Sequence, residues 1–258
     1  MEQGSHPRSR YDNEFFATAD SAADASADGV IAPLASELHP KSVLDVGCAR
    51  GVWLSHWQRH GAAEILGLDG DYVDCRQLKI ATSEFRAYDL SKPFSLSRQF
   101  DLVQSLEVAE HVPESSAEIF VDNLTNHGRI ILFSAALPGQ GGEHHVNEQP
   151  WEYWRRKFAA RGYEVFDFIR PLILRSRAVT FCYRFNTFLY VHASAIDELP
   201  AAIRQTHVPQ GLALADVLPL SMRLRLLIVR CLPSAAVNGI ARLRYRLPRF
   251  GGAKYLNG

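Results

Sequence analysis

Two groups of residues in the 258-residue chain have the types and spacing to do chemistry. The first is a series of acids at or just past the ends of short apolar runs. Asp45 stands in VLDVG, Asp69 closes EILGLD, Asp89 sits with Leu90 in FRAYDL, and Glu107 follows FDLVQSL. Between Asp45 and Asp69 lies a glycine turn, Gly47-Cys48-Ala49-Arg50-Gly51. Such a turn holds pyrophosphate when it reads G-x-G-x-x-G and nucleotide phosphate when it reads G-x-x-x-x-G-K-[ST]. This one has neither the lysine nor the full glycine set, and acids border it. An acid-lined pocket repels phosphate and suits a cation.

The second group lies in ALPGQGGEHHVNEQPWEYW (136–154). Gly139, Gly141 and Gly142 make this loop mobile or tightly turned, and Glu143, His144, His145, Asn147, Glu148 and Gln149 crowd polar chemistry after them. A histidine takes up a proton near neutral pH, so His145 or His144 is a general-base candidate, with Glu143 or Glu148 to orient the ring. The alternative is a polar loop whose Asn147 and Glu148 cap the following helix. His111, in LEVAEHV, is a third candidate, with Glu110 beside it; its other reading is a ring bonded to nearby backbone. Metal ligation by Glu143, His144, His145 and His111 is set aside, because adjacent histidines chelate one ion poorly and nothing else signals a metal.

The elements that must position these residues alternate. Apolar runs at 43–46, 64–69, 85–90, 100–106 and 129–136 read as strands. Segments 52–61, 72–80 and 115–128 read as the helices between them, which predicts a parallel sheet covered on both faces. A helix follows Pro150, with Trp151, Trp154 and Phe158 on one face. Runs 163–169 and 185–194 then read as two strands joined by RPLILRSRAV without a helix, an antiparallel pair at the end of the sheet. Residues 11–38 read as helical. Tyr11, Phe15 and Phe16 read as its packing face or as a lid, and Trp53 and Trp57 as core.

VLDVGCARG resembles the first motif of class I S-adenosylmethionine-dependent methyltransferases, an acid followed by G-x-G-x-G, with Ala49 at the middle glycine position. ILGLDGD resembles their second motif and FDLVQSLEVAEHV their fourth-strand motif. The resemblance covers roughly residues 40 to 195. It implies a Rossmann-like, doubly wound, mostly parallel seven-stranded α/β sheet with a terminal antiparallel pair. It also implies S-adenosylmethionine as cofactor. Gly47, Cys48, Gly51 and Gly70 would let backbone approach it. Asp45 would attract the amino group of its methionine, Asp69 would accept the ribose hydroxyls, Asp89 and Leu90 would meet adenine, and Glu107 would lie near the methionine end. SAALPGQGGEHHVNEQPWEYW looks like bacterial methyltransferases associated with polysaccharide or glycan biosynthesis. The expected reaction is O-methylation of a small-molecule or glycan hydroxyl. A non-catalytic binding module and a nicotinamide-dependent oxidoreductase are the rivals, the latter disfavoured by the missing G-x-G-x-x-G.

Three units are expected: an N-terminal helical cover (1–40), a methyltransferase domain (41–195) and a basic extension (196–258). Eight of the 28 basic residues follow Asp216 and no acid does, so residues 1–216 hold 20 basic against 28 acidic residues. An acidic main domain argues against nucleic acid as partner. Cys48, Cys75, Cys182 and Cys231 form no CxxC pair, which fits reduced thiols in a cytosolic protein. The first residues lack an apolar signal-peptide core, and no window reaches the ~20 apolar residues of a spanning helix. Segment 219–249 mixes arginine with aliphatics; Val237, Ile240, Arg244 and Leu247 share one stripe, Arg242, Arg246 and Arg249 another. It reads either as a membrane-surface segment, giving a cytoplasmic protein peripheral at the inner face of the membrane, or as a cover for the acidic domain or a second subunit.

Overall fold

The computed structural model of the protein describes residues 13–232. Tyr11, Lys254 and the stripes at 237–249 lie outside the described residues. Eight strands form one sheet: β1 (Ser42–Val46), β2 (Glu64–Asp69), β3 (Phe85–Ala87), β4 (Leu102–Leu106), β5 (Ile130–Ser134), β6 (Tyr163–Phe166), β7 (Phe188–His192) and β8 (His207–Val208). Their order is β3-β2-β1-β4-β5-β7-β6-β8. The pairings from β3 through β5 are parallel, while β7 lies antiparallel to both β5 and β6. Strand order reverses between β1 and β4, where Asp45 pairs with Gln104, and the carboxyl ends of the strands at such a point form a crevice.

Side chains alternate through the sheet because successive Cβ atoms point to opposite faces. Val43 therefore joins one core cluster and Leu44 the other. The first is roofed by α1 (Asn13–Leu38) and α2 (Val52–Arg59), which bury Val30, Ile31, Leu34, Leu54 and Trp57. The second is roofed by α3 (Ala117–Thr125) and α4 (Trp151–Ala159), through Phe120, Leu124, Trp154 and Phe158. Trp53 and Trp57 are core, and Trp57 Nε1 donates to Gln104 Oε1 at 2.7 Å.

Three expectations change. Segment 72–80 holds only a 3₁₀ turn, Cys75–Gln77, rather than a helix. The Asp74 carboxylate accepts from Arg76 N and from the Arg76 guanidinium, a local closure that competes with helical propagation. The last two long strands are not joined by plain linker: α5 (Ile169–Ile173) and α6 (Phe181–Asn186) lie between them. Pro171 falls in the first turn of α5, where a missing N–H costs nothing. Finally the sheet continues past residue 195. After α7 (Ala201–Arg204), β8 pairs with β6 through Val165–Val208 and Phe166–His207, an eighth strand beyond the seven expected.

The helix α8 (Leu220–Arg230) follows β8 and carries the first arginines after Asp216. Met222 and Leu226 pack it on Leu137 and Phe185, and its opposite face leaves Leu220 81% and Leu227 59% exposed. Among the described residues no helix is long and apolar enough to cross a membrane.

Candidate functional site

The turn after β1 is built by backbone bonds to β2: the N–H groups of Gly47 and Cys48 both donate to the Leu68 carbonyl, at 2.7 and 3.1 Å. Gly47 and Gly51 have φ of 92° and 81°. A Cβ at Gly47 would fall 2.3 Å from a Val108 methyl, and one at Gly51 2.9 Å from Ile80. Both glycines are thus required by the protein's own packing, as well as by the left-handed backbone. Ala49 takes the same conformation, φ 48°, with a methyl group in place. The Cys48 thiol is buried against Gly67, and burial pushes its pKa up.

Asp45 is 2% exposed, and its Oδ2 meets no hydrogen-bond partner. Burial pushes its carboxyl up to about 7, against the pull of neighbouring Gln104 and with the charge of Asp69 adding to the rise. Asp69, also buried, accepts from Ala49 N at 2.7 Å, Gly70 N at 2.7 Å and the Tyr72 hydroxyl at 2.6 Å. Burial raises its carboxyl too, and these three bonds work the other way. The Tyr72 ring lies directly over Gly70, where a Cβ would meet it at 2.1 Å, and stacks on Phe16 of α1. Arg50, from the turn itself, reaches Asp20 at 3.3 Å and Asn13 at 3.0 Å and lies over the Phe16 ring. The start of α1 therefore covers this turn. Leu90 is buried in the core, whereas the Asp89 carboxylate turns to its own loop, accepting from Ser91 Oγ at 2.6 Å and pairing with Lys92. The Ser91 bond chiefly holds its pKa down.

Next to the turn, past β4, Glu107 adopts φ 56° and its N–H donates to the Ser134 carbonyl at 3.0 Å. Its carboxylate accepts from Gln140 Nε2 at 2.6 Å, and Asn186 Nδ2 donates to Gln140 Oε1 at 2.8 Å. Burial raises the Glu107 pKa. Three residues on, the backbone carbonyl of Glu110 accepts from Val146 N and Asn147 N, which draws the histidine loop onto this segment. The Glu110 side chain is 0% exposed and neither carboxyl oxygen meets a hydrogen-bond partner. Burial, and then the charge of Glu107, drive its pKa well up.

His145 Nδ1 donates to Glu148 Oε1 at 2.7 Å, and its Nε2 lies 4.0 Å from Glu110 Oε1. A carboxylate only accepts, so Nδ1 carries a proton and Nε2 is the ring atom turned toward Glu110. Glu148 also accepts from the N–H groups of Gly139 and Gly141, at 2.7 and 2.8 Å, so it organises the glycine loop and does not cap α4. Although burial works upward, the bond to His145 leads the effects that hold Glu148 below the usual carboxylate range. His111 packs edge-on against His145 with ring centroids 4.9 Å apart, and Phe15 of α1 packs against His111. Burial, then the nearby His145 charge, depress the His111 pKa to about 3, while a bond to the His144 main chain works upward. His144, at φ 62°, pairs its own side chain with Glu143 at 3.5 Å. One ligating atom from each of Glu110, His111 and His145 lies within 4.8 Å of the others.

The structure thus brings His145 and His111 together with Glu110, and Asp45 with Asp69 around the turn; His144 turns aside to Glu143. Sequence reasoning missed Tyr72, Arg50, Gln140 and Asn186. Arg50 lies within the quoted turn, Tyr72 just past the second motif and Gln140 within the glycine loop, but most of their partners, like those of Asn186, are distant in sequence. Two surface concavities, lined by Glu64, Arg86 and Phe100 and by Glu37, Asp101 and Arg129, lie at the opposite, amino ends of the strands and hold none of these groups.

Residues 21–169 match the family model described as a methyltransferase domain. A ubiquinone biosynthesis O-methyltransferase of Neisseria meningitidis is 28% identical over 129 residues, covering 46% of this chain and 49% of that protein. The chain spans about half the length of the curated relatives it matches. Among solved structures, DesVI of Streptomyces venezuelae superposes with a TM-score of 0.53 at 16% identity, over 74% of this chain and 100% of that one. A DhpI-SAH complex superposes at 0.51 and 19% identity, over 71% and 90%. At these identities the structural likenesses establish the fold.

Proposed function

The chain belongs to the methyltransferase-domain family, and from that premise we propose that it moves the methyl group of S-adenosylmethionine to an oxygen of a small-molecule or glycan acceptor. The observation that carries the cofactor reading is Asp45: a buried carboxylate with an unbonded oxygen at the carboxyl end of the central strand fits a cationic amino group. We assign Asp69 to the ribose hydroxyls, Gly47, Cys48, Gly51 and Gly70 to the backbone cradle, and Leu90 with Asp89 to adenine. Glu107 is assigned to the methionine end. When bound, the cofactor supplies a methyl on a positively charged sulfur, so little covalent help is needed beyond alignment and removal of the acceptor proton.

Acceptor chemistry is assigned to the face formed by 107–111 and 139–148. Glu148 fixes the tautomer of His145, whose Nε2 presents a basic pole beside Glu110 and His111. There the acceptor hydroxyl gives up its proton; its oxygen forms the new C–O bond as the C–S bond breaks. His144 is assigned a supporting place through its main chain, which holds His111. The relatives' O-methyltransferase name supports oxygen as the accepting atom.

The exposed leucine face of α8 supports a membrane-peripheral enzyme. Leu220, Leu224, Leu227 and Ile228 share that face, Arg223 and Arg230 border it, and no acid follows Asp216. Because α8 packs on the glycine loop, with Arg225 donating to the Gln140 carbonyl, a lipid-linked saccharide is the acceptor class that fits.

Titration calorimetry with S-adenosylmethionine and with NAD tests the cofactor: micromolar affinity for the first and none for the second is expected, and the reverse sinks the assignment. Release of S-adenosylhomocysteine with hydroxyl-bearing lipid-linked saccharides, above the rate without acceptor, separates an enzyme from a module that binds without turnover.

A further inference from the structure

The His145 ring, the Glu110 carboxyl and the His111 ring converge on one small volume. Glu110 is buried with both oxygens unbonded, and a carboxyl so placed costs stability unless something occupies it. One ligating atom from each of the three residues falls within 4.8 Å of the other two, and closing in by about an ångström would bring them to the ~3.4 Å spacing of tetrahedral bonds near 2.1 Å. The orientation of His145 adds an independent mark. Its far nitrogen is donated to Glu148, which is itself clamped by two backbone N–H groups, the carboxylate-to-histidine arrangement that aims the other nitrogen at a metal.

We propose that Glu110, His111 and His145 hold a divalent cation, with Glu148 as the positioning residue behind His145. The inference rests on reading this face as the acceptor site. Two imidazoles and one carboxylate suit a first-row ion such as Mn²⁺, Co²⁺ or Zn²⁺ rather than Ca²⁺ or Mg²⁺. Three protein ligands leave positions open for a hydroxyl oxygen. The ion lowers the pKa of that hydroxyl, whose proton leaves to solvent water while its oxygen takes the methyl. His145 then serves as ligand, and its Nε2 meets the ion rather than the acceptor's proton. The adjacent pair His144–His145 does not form the site, which removes the objection that neighbouring histidines chelate poorly.

The full chain, stripped with a chelator and dialysed, is titrated with Mn²⁺ followed by electron paramagnetic resonance, and with Co²⁺ followed by its visible absorption. One ion per chain is expected. Glu110→Gln and His145→Gln are expected to weaken Mn²⁺ binding at least tenfold and to bleach the Co²⁺ bands. Glu148→Gln is expected to weaken it less, with the Co²⁺ spectrum shifted rather than lost. Circular dichroism and S-adenosylmethionine affinity, both unchanged in the variants, exclude unfolding as the cause. No binding at millimolar Mn²⁺, or binding indifferent to Glu110→Gln and His145→Gln, overturns the proposal. Methyl transfer that persists undiminished in chelator removes the ion and leaves the direct-base reading. Failure to bind S-adenosylmethionine removes the methyl-transfer reading, while the resonance titration still reports on the ion.

Discussion

In its proposed role, Asp45 with its unbonded oxygen would tie ligand binding to protons. With the carboxyl at about 7 in the free protein, most copies are protonated at pH 6. An ammonium group docking there lowers that pKa, so binding releases a proton. Calorimetry at pH 6 in buffers of different ionisation enthalpy should report close to one proton released, and affinity should rise from pH 5 to 7 and then level. Asp45→Asn should abolish the release; proton uptake would refute the pairing. The same group acts on stability. Its folded pKa lies above the unfolded value, so its contribution is complete below about pH 4 and is lost as pH rises through 7, an effect on the order of 4 kcal/mol. Ala49 offers a simpler test. A left-handed alanine costs about 1–2 kcal/mol, part of which glycine would return as greater freedom of the unfolded chain. Ala49→Gly should therefore raise unfolding stability by up to about 1 kcal/mol in denaturant titration, and a loss would show that the methyl packs usefully.

Between elements, one buried histidine ties α1 to α2 alongside their apolar packing. His56 is 2% exposed, with Nδ1 2.7 Å from Asp28 and Nε2 2.9 Å from Asp24, both on α1. The ring is thus held from both nitrogens by carboxylates of the neighbouring helix. His56→Leu should lower stability by about 2 kcal/mol and expose 13–38 to proteolysis ahead of the sheet; unchanged digestion would show that the apolar packing of Val30, Ile31 and Leu34 holds the helix without the histidine. The elements themselves were legible wherever period and punctuation agreed: VLDV before its glycine turn, 115–128 before Gly128, and the aromatic stripe after Pro150. The errors have local causes. Asp74 closes its own turn, and β8 is only two residues long, too short to show a period. Arg170 is buried in α5, where Asp167 binds it at 2.6 and 2.8 Å and the Phe188 ring lies beneath it, a pairing that no arginine in a polar stretch announces. At the site, the acids at strand ends and the histidine loop were readable as chemistry. Their partners Gln140 and Asn186 were not, because a contact between residues 46 apart leaves no trace in spacing.

The whole molecule carries its charge unevenly, with an acidic body and a wholly basic end, and α8 is where the two meet. Its outer leucines and flanking arginines should bring the protein down with anionic phospholipid vesicles at low salt, each basic residue near the surface adding about 1 kcal/mol. Leu224→Glu with Leu227→Glu should abolish sedimentation while leaving the melting temperature within a few degrees, since both side chains face solvent. Vesicle binding that survives the double change would show that the leucine face of α8 is not what holds the lipid. One further matter follows from strand order. β7 enters the sheet between β5 and β6, although β6 is made first. On the ribosome, β6 must wait for it, and Asn186, the brace between Gln140 and α4, emerges just ahead of β7. A growing chain can thus shape its glycine turn early, yet the opposing wall of the crevice is braced only late in synthesis.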